Sequence, residues 1–95
     1  MNKNYQKGVR YERRSMEILE AAGYMTLRMA GSHGQFDVIG ISRLDIVLVQ
    51  VKSGTANLTP AETEAMALFP VPPNTRKLLH RWKKGATLPL VKEIS

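Results

Sequence analysis

Ninety-five residues, 43% hydrophobic and 23% charged, describe one globular domain spanning 1–95 and leave no room for a second core. The absence of cysteine excludes disulfides and thiolate metal sites, and no apolar run, Ile46 to Val49 included, is long enough to cross a bilayer. Fourteen Lys and Arg against eight Asp and Glu give a net charge of +6, which favours a polyanionic partner such as nucleic acid or an acidic membrane surface.

The polar start, Met1-Asn2-Lys3-Asn4-Tyr5, contains no apolar leader, so a soluble intracellular protein is expected, with no membrane partner. Residues 3–22 read as a helix that Gly23 ends, glycine being suited to the left-handed position past a helix C-terminus. At 100° per residue, Tyr5, Val9, Met16 and Leu19 share one face, with Lys7, Arg10, Arg13, Arg14, Glu17 and Glu20 opposite. Glu12 interrupts the apolar stripe between Val9 and Met16. A carboxylate aimed at a core is costly unless paired, protonated or metal-bound, so either an ion pair with a strand arginine or a ligand role would account for it.

Three strands follow: Tyr24 to Ala30, Phe36 to Ser42 after the loop Gly31-Ser32-His33-Gly34-Gln35, and the Val- and Ile-rich Ile46 to Lys52. After the loop at 53–57, Thr59, Pro60 and Glu62 form a capping box with proline at the first helical position, opening a second helix to about Leu68. Pro70-Val71-Pro72-Pro73 is a rigid connection. Thr75 to Trp82 is a strand, Lys83-Lys84-Gly85 a turn, and Leu88 to Ile94 a last short strand. The expected architecture is a single α/β domain with a mixed sheet.

Alternation along the third strand puts Ile46, Leu48, Gln50 and Lys52 on one face and Val47, Val49 and Val51 on the other. A four-residue loop from Ser42 to Asp45 makes paired positions sum to 87, which sets Asp37 opposite Gln50. Asp37, Gln50 and Lys52 then cluster on one face, which the helix bearing Glu12 is expected to cover. Two carboxylates, an amide oxygen and an ammonium suit phosphodiester hydrolysis with a hard cation, and they equally suit a polar strand end with an ordinary Asp–Lys ion pair.

Asp37, twelve intervening residues, then Gln50-Val51-Lys52 resembles the D…(D/E)XK signature of the restriction-endonuclease-like nucleases, whose core order is αβββαβ. With Lys7-Gly8, Tyr11-Glu12-Arg13, Gly23-Tyr24, Arg28, Ser32 and Asp37-Val38-Ile39, the match is similar to the archaeal-type Holliday junction resolvases over residues 7–54. The resemblance implies a restriction-endonuclease-like fold with its mixed central sheet flanked by helices. It implies a nuclease that cuts four-way DNA junctions with Mg²⁺, for which Mn²⁺ would substitute, and that acts as a homodimer with one site per strand. Glu12, Asp37, Gln50 and the Val51 backbone carbonyl would be metal ligands. Lys52 would be the catalytic lysine, Ser32 a loop residue near the scissile phosphate, and Lys7, Arg10, Arg13 and Arg28 phosphate contacts or supports. Gln50 departs from the pattern: it stands where most members carry a carboxylate, and weaker metal binding follows.

Toward the C-terminus, Arg76, Lys77, His80, Arg81, Lys83 and Lys84 surround Trp82. A basic stretch with one aromatic fits a nucleic-acid surface, and it equally fits a lysine-protected edge strand. His33 and His80 read as surface or loop residues. Three readings remain: a junction-resolving endonuclease, a related restriction, repair or phage nuclease acting on flaps or duplex, and a nucleic-acid-binding module with a decayed site. So compact a chain would suit a phage or mobile element.

Overall fold

The computed structural model describes residues 3–29 and 34–95, with side chains from Gly8 onward. The elements run in the order α1 (Lys3–Ala21), β1 (Met25–Arg28), β2 (Val38–Ile41), β3 (Ile46–Ser53), α2 (Pro60–Leu68), β4 (Thr75–Trp82) and β5 (Leu90–Ile94). The five strands form one sheet in chain order. Only β3 and β4 run parallel, joined by the α2 crossover, and the other neighbours are antiparallel, so the sheet is mixed, as expected.

Local chemistry sets the boundaries. Gly23 adopts φ +99°, and Tyr24 N–H folds back onto the Leu19 carbonyl at 3.0 Å, ending α1. Thr59 caps α2 by accepting from Glu62 N–H at 3.1 Å, while Glu62 reaches back to Thr59 N–H at 2.9 Å. The β2–β3 hairpin closes at the Ser42–Asp45 loop, where Ser42 N–H bonds the Asp45 carbonyl at 2.9 Å. Its register is the one the loop length predicts, with Val38 opposite Val49 and Ile41 opposite Ile46.

Two apolar layers hold the sheet between the helices. On one face Leu19 of α1 packs with Val38, Val47, Val49 and Leu78, flanked by Met16, Tyr24 and Val51. On the other, Met66 of α2 packs with Phe36, Leu48 and Ile94. The helix bearing Glu12 therefore covers the Val47–Val49–Val51 face, and the expectation that it covers the Gln50–Lys52 face is corrected. Strand alternation separates the faces without saying which helix takes which, and the larger unbroken valine surface went to the longer helix.

The buried line of α1 is Tyr11, Ser15 and Leu19. Ser15 was not expected there. Its hydroxyl accepts from Trp82 Nε1 at 2.9 Å and lies 2.9 Å from His80 Nδ1, so one small side chain satisfies two buried rings on β4. His80 and Trp82 are thus core residues, 2% and 1% exposed, rather than surface residues or a stacking platform for bases. Arg14, expected on the solvent face, lies over the Trp82 ring at 4.3 Å and donates to the Ala86 carbonyl at 3.1 Å.

Candidate active site

The Asp37 end of β2, the Lys52 end of β3 and the middle of α1 converge at one rim of the sheet. The regular ladder stops at Val38–Val49, and Asp37 departs from it. Its N–H bonds the Val49 carbonyl at 2.8 Å, and its carboxylate accepts Val51 N–H at 2.8 Å. Asp37 is therefore not simply paired across from Gln50. Its side chain takes the place of a backbone acceptor for β3, and this fixes the carboxylate between the two faces of the sheet.

That position lets it sense both sides. Burial is the largest influence on Asp37 and raises its pKa; the Val51 hydrogen bond and the Lys52 charge lower it, and Glu62 raises it again. Glu12, on the α1 side, is also raised, first by burial and further by the Asp37 charge. Arg28 of β1 opposes this with an ion pair to Glu12 at 3.2 Å, without cancelling it. Glu12 thus has the strand-arginine partner that its place in the stripe called for, and it feels a second carboxylate as well.

Lys52 lies on the α2 face, where its ammonium donates to Glu62 at 2.9 Å. Glu62 is held below the usual carboxylate range by the Thr59 N–H bond and then by Lys52. Sequence reasoning assigned Glu62 only to the helix cap. The signal for more was available, because the loop after β3 is short enough to return the N-terminus of α2 to the strand it has just left. Gln50, on the same face as Lys52 by strand alternation, makes no side-chain hydrogen bond among the described residues.

The donor chemistry fits a hard divalent cation. Two half-buried carboxylates, each raised first by burial and one of them further by the charge of the other, are the arrangement a cation relieves, and one Asp37 oxygen is already oriented by Val51 N–H. Among the described residues no three His, Cys, Asp or Glu side chains gather to hold a metal. Neutral oxygens would have to complete such a set, and Gln50 and the Val51 carbonyl, on the strand whose Val51 N–H bonds Asp37, are the candidates.

The remaining expected site residues divide. Ser32, with His33, lies outside the described residues, as does the side chain of Lys7. Arg10 and Arg13 are exposed on α1, and Lys83 and Lys84 are exposed in the turn after β4. Arg76 pairs with Glu93 at 3.2 Å on the surface. Lys77 is corrected: it is 8% exposed, and its ammonium bonds the Ala67 and Phe69 carbonyls at 2.9 and 2.8 Å. It caps the C-terminal end of α2 and faces no ligand. A cavity of about 790 Å³ opens at the opposite end of the sheet, lined by residues 22–24 and 42–45, but it holds none of this chemistry.

Comparison with known proteins identifies the family and the fold. Residues 3–67 match the family model described as archaeal Holliday junction resolvase (Hjc). The fold is similar to that of Archaeoglobus fulgidus Hjc, a Holliday junction resolvase from an archaeal hyperthermophile, with a TM-score of 0.66 and 20% identity, covering 84% of this chain and 73% of that one. No curated protein matches. Among the described residues, no helix is long and apolar enough to cross a membrane.

Proposed function

Because the chain belongs to the archaeal Holliday junction resolvase family, we propose that it resolves four-way DNA junctions by divalent-metal-dependent hydrolysis at the Glu12–Asp37–Lys52 rim. The observation that carries this is the position of Asp37, held by Val51 N–H where its own charge reaches Glu12 and the charge of Lys52 reaches it.

In this reading Glu12, Asp37, the Gln50 amide oxygen and the Val51 carbonyl hold Mg²⁺, or Mn²⁺ in its place. Bound there, such a cation would supply polarisation of a phosphoryl oxygen and a water of lowered pKa. Lys52 offsets charge building on the phosphate and orients the attacking water, and Glu62 holds its ammonium in position. Arg28 balances Glu12, while Arg10 and Arg13 on α1 and Lys83 and Lys84 beyond β4 meet the DNA backbone. Val51 N–H, fixed to Asp37, keeps that carboxylate aimed at the rim.

Cutting two strands calls for two copies of the site. β1 is an edge strand, and Met25, Leu27 and Met29 are 65%, 55% and 38% exposed on the face away from Thr26 and Arg28, beside Ile41 at 40%. This apolar strip is the surface we assign to the homodimer.

Labelled four-way junction, flap and linear duplex, each incubated with Mg²⁺ and with EDTA, test the proposal. Paired nicks in the junction, dependent on metal, are expected. Nicks confined to flap or duplex would move the chain to another nuclease activity, and metal-independent binding without cleavage would make it a binding module.

A further inference from the structure

On the α2 face, one strand beyond Lys52, β4, β5 and the loop before α2 enclose a cavity of about 190 Å³ lined by Asn57, Leu79, Arg81, Leu90, Val91 and Lys92. The sheet register ties it to the rim already described. Lys52, Arg81 and Leu90 form one rung across β3, β4 and β5, and Gln50, Leu79 and Lys92 form the next. Neighbouring strands lie about 4.8 Å apart, so Arg81 is the immediate neighbour of Lys52 on the same face.

The lining contains donors and no carboxylate. The Asn57 amide oxygen is occupied by Leu58 N–H at 2.8 Å, which leaves its NH₂ group to donate. The ion pairs of the described residues join Arg28 to Glu12, Lys52 to Glu62 and Arg76 to Glu93, and none reaches Arg81 or Lys92. Arg81 Nε is buried without an acceptor, a position that costs free energy until an acceptor arrives. Two cations outside the ion pairs of the described residues, an amide donor and an apolar wall of Leu79 and Leu90 describe a seat for a compact anion that can bond Arg and Lys together.

We propose that this cavity is a phosphate subsite that seats a DNA backbone phosphate flanking the one cleaved beside Lys52. The proposal rests on the nuclease reading for the source of the phosphate, while the anion chemistry stands on the cavity alone. Seating a flanking phosphate there would fix the register of the strand across the end of the sheet.

Junction affinity in EDTA, followed by fluorescence anisotropy across a salt series, tests it with Lys92→Gln, Arg81→Gln, the double variant that combines them and the rescue variant Arg81→Lys. Lys92 is exposed, so its replacement spares the fold. The expected result is affinity lowered about tenfold, a salt slope shallower by about 0.9 in the double variant, and partial recovery in Arg81→Lys. Unchanged affinity and slope in Lys92→Gln and Arg81→Gln, with cleavage by the native chain intact, overturns the subsite and leaves the nuclease reading standing. In a second arm inorganic phosphate is titrated into ¹⁵N-labelled protein, with shifts expected at the Asn57 side-chain amide and Arg81 Nε. Absence of those shifts overturns the anion site even if the native chain proves not to bind DNA, and shifts without any effect of the variants on DNA overturn the DNA assignment in favour of free phosphate.

Discussion

Glu62 receives the Lys52 ammonium on one carboxylate oxygen and the Thr59 N–H on the other, each at 2.9 Å. The first turn of α2 and the end of β3 are therefore joined through a single side chain, and the helix cap is also the brace of the proposed catalytic lysine. Glu62→Gln keeps an acceptor for Thr59 but gives up the charge, whereas Glu62→Ala loses both. We expect cleavage to fall about 10²-fold in both, with junction affinity nearly unchanged. Only Glu62→Ala should also lose about 1 kcal/mol of stability with its cap. Single-turnover cleavage rates beside thermal melts separate the two effects.

Acid should weaken the fold through His80. Burial lowers its pKa to about 4, so the native ring stays neutral where the unfolded ring, titrating near 6.5, already binds a proton. Stability is complete above about pH 6.5 and declines as pH falls toward 4, by about 3 kcal/mol over the window. Denaturant midpoints between pH 7 and 4 should show this slope, and His80→Asn should flatten it.

Gly40 of β2 lies beneath Leu19 of α1. A Cβ added there would meet Val47 Cγ2 at 2.7 Å and Leu19 Cδ1 at 3.3 Å. Gly40→Ala should therefore cost about 1–3 kcal/mol through overpacking, seen as a lowered melting temperature.

The dimer assignment places Leu27 at the centre of a buried strip. Leu27→Lys should give a monomer by sedimentation velocity, still folded by circular dichroism, that nicks one junction strand without the paired second cut. A dimer that survives this change uses another surface.

Much of the fold was legible because it rests on local rules. The four-residue loop at Ser42–Asp45 dictated the hairpin register, the Thr59–Glu62 box dictated where α2 begins, and Gly23 dictated where α1 ends. The candidate site was legible as a set of residues more than as an arrangement. Strand alternation grouped Gln50 with Lys52 correctly but was silent on which helix lay over them, and α1 went to the other face. Leaving the ladder at Asp37 depends on a side chain bonding a backbone N–H, which no periodicity reveals. Lys77, His80 and Trp82 were misplaced for one reason: polar and basic residue types suggest surface, while the carbonyls of α2 and the hydroxyl of Ser15 satisfy Lys77 and the two rings inside.

The central claim is that Glu12 and Asp37 share a divalent cation, and anomalous scattering from crystals grown with Mn²⁺ tests it most directly. One peak per chain bonded to both carboxylates is expected, weakened by Asp37→Ala and strengthened at low Mn²⁺ by Gln50→Glu. A native chain that cleaves junctions while its Mn²⁺ peak lies away from either Asp37 or Glu12 would contradict it.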